Sequence, residues 1–323
     1  KMNRTTALTE FVNNEEKIPK TISKKLISDL LDLGKIEDIE SGIVRYFLKK
    51  KGITKIKNKL ILDLIDNENS DRVEWFLHKS EINLELQDIE KIFELLIPPE
   101  DREVNGAVYT PKFIVDYIVD NTIEDEGKIC DCSCGSGAFL LGSLKRLLRI
   151  SKKGIVQIIE NNLYGVDILD YSIRRAKIIL SLFALINSED KEGIKFNLRV
   201  EDSLYSDWEK LFPEIFSNGG FDYVVGNPPY VRIQDLKEGL KEKLAEKWES
   251  IETGNFNLYF AFFELGMNIL HNKGKLGYIT PNNYFTSLAG VELREYLHKN
   301  KKITRILNFN HLKLFDASTY TCI

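Results

Sequence analysis

After residue 104 short apolar segments alternate with amphipathic ones, and this alternation restricts the fold more than any other feature of the chain. KICDCS is a strand candidate followed by a glycine-rich turn and the helix AFLLGSLKRLLRI. NLYGVDIL leads into the helix SIRRAKIILSLFALI, and KFNLRVED and FDYVVGNPPY supply a third and a fourth strand. NFNLYFAFFELGMNIL reads as a strongly apolar helix and KLGYITP as a fifth strand, with TRILNFN and STYTCI as the last pieces. Strands separated by helices pair in parallel, and a parallel sheet must be covered on both sides. The expected class is therefore α/β, a mostly parallel sheet with helices on both faces.

Residues 1–103 have a different texture, with Gly34, Gly42 and Gly52 as their only glycines. In KTISKKLISDLLDLG the apolar residues Ile22, Leu26, Ile27, Leu30, Leu31 and Leu33 recur at helical spacing and Gly34 is the stop. VEWFLHKS and LQDIEKIFELLI continue the pattern, and IPPEDREVNG at 97–106 breaks it. The expected organisation is a small all-helical domain over 1–103 and an α/β domain over 104–323. Arg45 to Lys59 carries seven basic residues and no acid. That stretch reads either as a solvated surface or as a phosphate-contact patch.

At 323 residues, 43% hydrophobic and 29% charged, the chain can bury a sizeable core. A net charge of -4 announces no global basic field, although a nucleic-acid groove needs only a local basic lining. No apolar run approaches the ~20 residues of a membrane helix. The first twenty residues lack the apolar middle of a signal peptide. Four cysteines, three of them in CDCSC, do not form a secreted disulfide framework, so a cytosolic protein is expected.

DCSCGSGAFL places Gly135 and Gly137 between a strand and a helix, where glycine allows close backbone approach and the helix N-terminus favours negative charge. About thirty residues on, Asp167 ends the next strand, positioned to accept hydrogen bonds from ribose hydroxyls. Asp202 ends the strand after that and could accept from an exocyclic amine such as adenine N6. An αβ loop with a capping Asp is the competing and weaker reading of the first two features. The third glycine of G-x-G-x-x-G and the lysine of a P-loop are both missing, which favours an adenosine ligand over a dinucleotide or triphosphate.

Upstream, Thr110 stands where a helix N-cap is expected, with Pro111 at the first helical position and Phe113, Ile114, Tyr117 and Ile118 as the buried face. A hydroxyl and free N–H groups there could hold an amino-acid carboxylate. Cys130, Cys132 and Cys134 alternate along a strand and cannot easily converge on one ion, so no metal site is expected.

VVGNPPY at 224–230 carries the chemistry. An amine on an aromatic ring is a poor nucleophile because its lone pair is delocalised. The Asn227 side-chain oxygen and the Pro228 carbonyl can accept both amine hydrogens, favour a pyramidal nitrogen and return the lone pair for attack. Pro228 and Pro229 stiffen the turn, and Tyr230 offers a flat stacking face.

These motifs, in this order over residues 104–323, resemble those of the γ-class amino-methyltransferases of DNA, the TaqI-like adenine-N6 enzymes of restriction–modification systems. The resemblance implies a Rossmann-like class I S-adenosylmethionine-dependent methyltransferase with S-adenosylhomocysteine as product. It assigns Tyr109, Thr110, Pro111, Asp131, Ser133, Gly135, Gly137, Asp167, Ile168, Asp202, Ser203 and Asn227 to the cofactor. Asn227, Pro228, Pro229 and Tyr230 are the implied catalytic tetrapeptide, and Tyr230 and Phe315 the aromatics that stack on a flipped adenine. Double-stranded DNA is the implied partner, in the cytoplasm of a bacterium or archaeon.

The chain stops at TYTCI, within a strand and before the target-recognition domain that such enzymes carry. It therefore reads as a fragment, with a specificity domain or subunit and any nuclease module outside it. Residues 1–103 would suit the connector of a bifunctional enzyme. Protein glutamine methyltransferases and RNA amino-methyltransferases share the NPPY element, and a non-catalytic DNA-binding subunit could retain the fold. The YTP element and the long segment after NPPY weigh against the first.

Overall fold

A computed structural model describes residues 22–98, 100–101, 106, 108–235, 239–251, 256–300, 303–309 and 320–323. Its N-terminal part holds α1 (Lys24–Leu31), α2 (Ile36–Lys50), α3 (Lys59–Ile65), α4 (Asp71–Lys79) and α5 (Leu86–Leu95). Ser23 caps α1, its hydroxyl accepting from the Leu26 N–H at 3.1 Å. Then follow α6 (Lys112–Thr122), β1 (Ile129–Asp131), α7 (Ala138–Ile150), α8 (Ile155–Asn162), β2 (Leu163–Asp167), α9 (Asp170–Ile186) and β3 (Asn197–Val200). After two single-turn helices come β4 (Phe221–Gly226), α10 (Leu240–Lys247), α11 (Tyr259–Asn268), β5 (Leu270–Tyr278), β6 (Thr280–Pro281), α12 (Val291–Asn300) and β7 (Thr321–Cys322).

The main sheet runs in the order β3-β2-β1-β4-β5 with every neighbouring pair parallel. Side-chain alternation along the strands splits the core into two layers. Ile129, Leu163, Tyr223 and Val225 face α6, α7 and α9, whereas Cys130, Tyr164, Val166 and Val224 face α11. Helices thus cover both faces, as the strand–helix alternation requires. On the α11 side Tyr164 and Phe212 meet edge to face at 5.3 Å, and Phe221 adds a further edge contact to Tyr164. Each such pair contributes about 0.5–1.5 kcal/mol beyond its burial.

KLGYITP does not form one strand. The main sheet takes the chain as far as Tyr278, and Thr280–Pro281 pairs antiparallel with Thr321–Cys322 in a separate ribbon. Pro281 has no N–H with which to extend the ladder.

The buried face of α6 is Ile114, Val115, Ile118 and Val119, with Phe113 and Tyr117 only partly covered, a rotation from the expected stripe. The helix also begins one residue later than expected, with Pro111 at the cap position.

The N-terminal helices share one hydrophobic core with α6, α7 and α9. Arg175 of α9 is fully buried and donates to the equally buried Glu40 of α2 at 2.6 Å and to the Phe93 carbonyl at 2.9 Å. Breaking such a pair on one side strands a charge without water, so it fixes how α2 seats on α9. In the basic stretch, Arg45 pairs with Asp71 and Glu74, Lys49 with Glu74, Lys51 with Glu85 and Lys59 with Glu192. Four of its seven cations therefore have acidic partners from other segments, as a solvated surface would. No helix among the described residues is long and apolar enough to cross a membrane.

Candidate cofactor and catalytic site

The sheet order reverses at β1, and open α/β sheets bind ligands at such a switch point, outside the carboxyl ends of the strands. A cavity of about 360 Å³ opens there. Asp131 ends β1, Asp167 ends β2, Asp202 lies just beyond β3 and Asn227 directly follows β4; all four line the cavity. Each stands where a buried apolar strand meets the loop layer, so the pleat and the strand ends alone bring them together.

The glycine-rich turn crosses this opening. Gly135 adopts a left-handed φ of 50°, and its N–H donates to Asp167 Oδ2 at 2.9 Å. The other Asp167 oxygen accepts from the Leu169 N–H at 3.0 Å. Burial pushes the Asp167 carboxyl up to about 6. Asp131 is buried, accepts from the Ser133 N–H at 3.1 Å and lies against Gly226, where a Cβ would stand 2.8 Å from its carboxylate. Glycine before Asn227 is therefore a steric condition for Asp131. Burial, reinforced by the nearby Asp167 and Glu94 charges, pushes the Asp131 carboxyl up to about 8. Asp202 accepts from the Leu204 N–H at 3.0 Å, and burial raises its carboxyl as well.

Ser133 ties the turn to the β4 loop through a 3.3 Å bond to the Asn227 carbonyl. Ser203 also lines the cavity, but its hydroxyl donates to the Cys132 carbonyl at 2.5 Å. Ile168 is 52% exposed and presents an apolar flank to the same space.

Asn227 shows which way its amide is turned. Nδ2 donates to the Thr110 hydroxyl at 3.0 Å and reaches the Val108 carbonyl at 3.5 Å. A carbonyl can only accept, so the nitrogen faces it and the oxygen faces the other way. That oxygen, Oδ1, is buried and has no hydrogen-bond partner among the described residues. Pro229 lines the cavity and Pro228 is buried beside it. Tyr230 donates its hydroxyl to the Ile279 carbonyl at 3.2 Å and sets its ring at 74° to that of Tyr259.

Three expectations change. Thr110 does not cap α6; its buried hydroxyl serves Asn227 instead, because Pro111 already occupies the cap. Gly137 faces α9 rather than the cavity: its φ is 95°, and a Cβ there would stand 3.1 Å from that of Ala176. It permits close helix packing, the role of the third glycine in dinucleotide turns. Tyr109 and Pro111 flank Thr110 outside the cavity lining, with the Tyr109 ring under the Lys91 ammonium. Phe315 lies outside the described residues.

Sequence reasoning missed Glu90 and Glu94 of α5, which also line the cavity. Glu94 accepts from the Ser136 N–H at 2.6 Å, over the glycine-rich turn. The available signal is Glu90 itself, a carboxylate one turn after Leu86 within the apolar stripe of an amphipathic helix. At the opposite end Leu240, Leu244, Leu258 and Phe262 give the cavity an apolar wall.

The architecture is that of the class I S-adenosylmethionine-dependent methyltransferases. Residues 161–315 match the Eco57I restriction-modification methylase family. The chain is 28% identical over 292 residues to the Escherichia coli type II restriction enzyme and methyltransferase RM.Eco57I, covering 73% of this chain and 29% of that protein. It is 25% identical over 280 residues to the adenine-specific methyltransferase PglX of Streptomyces coelicolor, covering 69% and 23%. The chain thus spans less than a third of either relative. Among solved structures it resembles DrdV in a DrdV–DNA complex, with a TM-score of 0.63 at 13% identity over 89% of this chain and 35% of that one. It also resembles the methyltransferase subunit of a type I restriction–modification system from Streptococcus thermophilus, at 0.53 and 19% over 98% and 64%. The resemblance to γ-class amino-methyltransferases read from the motifs is borne out at this level.

Proposed function

We propose that the chain is the catalytic part of a site-specific DNA adenine-N6 methyltransferase that uses S-adenosylmethionine within a restriction–modification system. The observation that carries this reading is the orphaned Asn227 Oδ1 beside a cavity rimmed by Asp131, Asp167 and Asp202. A buried acceptor without a donor costs about 1–3 kcal/mol, which an incoming amine would relieve.

The donor set suits an adenosine bearing a cationic amino-acid arm. Asp167 keeps lone pairs for two ribose hydroxyls, Asp202 for the adenine amine, and Ile168 flanks the ring. The turn residues Ser133 and Gly135 admit the ligand closely, and Tyr109, Thr110 and Pro111 lie towards its carboxylate. Bound there, S-adenosylmethionine would supply a methyl group on an electrophilic sulfonium, leaving S-adenosylhomocysteine. Asn227 Oδ1 and the Pro228 carbonyl accept the two hydrogens of the target amine and localise its lone pair, while Pro229 holds the turn stiff. Tyr230, its ring plane fixed by the Ile279 carbonyl, and Phe315 stack on the flipped base.

The relative named adenine-specific and the DrdV–DNA complex support adenine in DNA as substrate. In this reading residues 1–103 are a helical connector or DNA-contact domain and 104–323 the catalytic domain. A target-recognition part and any nuclease belong elsewhere in the system, in the cytoplasm of a bacterium or archaeon.

The test is to incubate the chain with methyl-labelled S-adenosylmethionine and long mixed-sequence DNA, then digest to nucleosides. N6-methyl-2′-deoxyadenosine is expected. Label in N4-methylcytosine, or in protein, would overturn the assignment.

A further inference from the structure

Resting on that reading, one part of the cavity has no role. Glu90 is 5% exposed, its Oε1 has no partner among the described residues, and it lines the cavity. Glu94 follows one helical turn later and accepts from the Ser136 N–H through Oε1. A Cβ at Gly135 would lie 2.6 Å from that same oxygen, so the carboxylate rests on the glycine-rich turn itself. Two cations are near: Lys145 shares a small adjoining cavity with Glu90, and Lys91 lies over the Tyr109 ring. Neither is ion-paired to Glu90 or Glu94 among the described residues.

We infer that Glu90 and Glu94 form the subsite for the α-ammonium group of the cofactor's methionine arm. With Asp202 and Asp167 fixing the adenine and ribose ends, the arm must run past the glycine-rich turn towards Thr110 and Ala138. Glu90, Thr110 and Ala138 line both the main cavity and the small one beside it, so they meet at that end. The only cationic donor group on the arm is an ammonium, with three N–H bonds and no acceptor. A buried unpaired carboxylate beside a half-satisfied one matches that demand, and charge-assisted bonds in a desolvated pocket are the strong ones. The N-terminal helices thereby contribute directly to the cofactor site, and the Glu40–Arg175 pair that seats them on α9 holds the subsite in place.

Titration calorimetry of the whole chain with two ligands tests this: S-adenosylmethionine and 5′-methylthioadenosine, which keeps the adenosine and thioether but lacks the amino-acid arm. Glu94→Gln retains an oxygen for the Ser136 N–H and loses only the charge. It should weaken S-adenosylmethionine at least tenfold and leave methylthioadenosine within twofold, and Glu90→Gln should act in the same direction. Equal weakening of both ligands would assign the pair a structural role and overturn the inference, as would unchanged S-adenosylmethionine affinity in both variants. If the unaltered chain binds neither ligand, the proposed function itself fails and takes this inference with it.

Discussion

Asn227 reaches across 117 residues of sequence to donate its side-chain amide to the Thr110 hydroxyl at 3.0 Å. The bond faces the amide nitrogen away from its own carbonyl oxygen, which is left buried and unpartnered. The element before the glycine-rich turn thus orients the group on which the proposed chemistry depends. Thr110→Val, which keeps the shape and removes the acceptor, should lower turnover about fivefold, the worth of one neutral hydrogen bond. Single-turnover methyl transfer checks this, with Thr110→Ser expected to restore the rate.

Asn227 and Asp167 divide the work. Asn227→Ala should reduce methyl transfer by about 10²–10³-fold or more and leave S-adenosylmethionine affinity within a few-fold. Asp167→Ala should weaken the cofactor first. Calorimetry beside a transfer assay separates the two, and equal loss of affinity in both variants would contradict the division.

Asp131 makes stability and binding respond oppositely to pH. Its carboxyl is raised from an ordinary 3.8 to about 8, so between those values the folded chain holds a proton that the unfolded chain has lost. Stability therefore falls as pH rises from about 4 to about 8, and Asp167 adds the same sign up to about 6. A cationic ligand prefers the ionised carboxylates, so its affinity should rise over the same interval. Thermal unfolding at pH 5 and pH 8 should show the lower midpoint at pH 8. Asp131→Asn, which keeps the acceptor for Ser133, should shrink that difference.

Arg175→Ala leaves the fully buried Glu40 with Arg174 as its remaining cation and should cost about 3 kcal/mol, whereas replacing both partners with Arg175→Met and Glu40→Leu should cost less. Chemical denaturation of the single and double variants measures it. A double variant as damaged as the single would show that packing, rather than the uncompensated charge, dominates.

Gly137→Ala should destabilise the chain by about 1–2 kcal/mol through its left-handed φ and its contact with Ala176, while leaving cofactor affinity nearly unchanged. Calorimetry on the folded variant checks the second half.

The strand–helix alternation and the placement of acids at strand ends were legible because both follow from local periodicity. A buried parallel strand shows as an apolar run, and the residue that ends the run is the one delivered to the cavity. Glu90 and Glu94 were not, because the Glu94 bond to Ser136 and the place of Glu90 on the cavity wall join distant segments; locally they are two charges on an amphipathic helix. The start of α6 misled for a related reason: Thr110 before Pro111 satisfies the capping rule, yet Asn227 competes for the hydroxyl. Gly137 was read as a ligand glycine since a turn sequence carries no sign of which side faces the neighbouring helix.

The most direct measurement is a calorimetric titration of this chain with S-adenosylmethionine, with NAD and ATP as controls. The account predicts saturable binding of S-adenosylmethionine alone, weakened by Asp167→Ala and little changed by Asn227→Ala. A folded sample that binds none of the three, or prefers NAD or ATP, would contradict it.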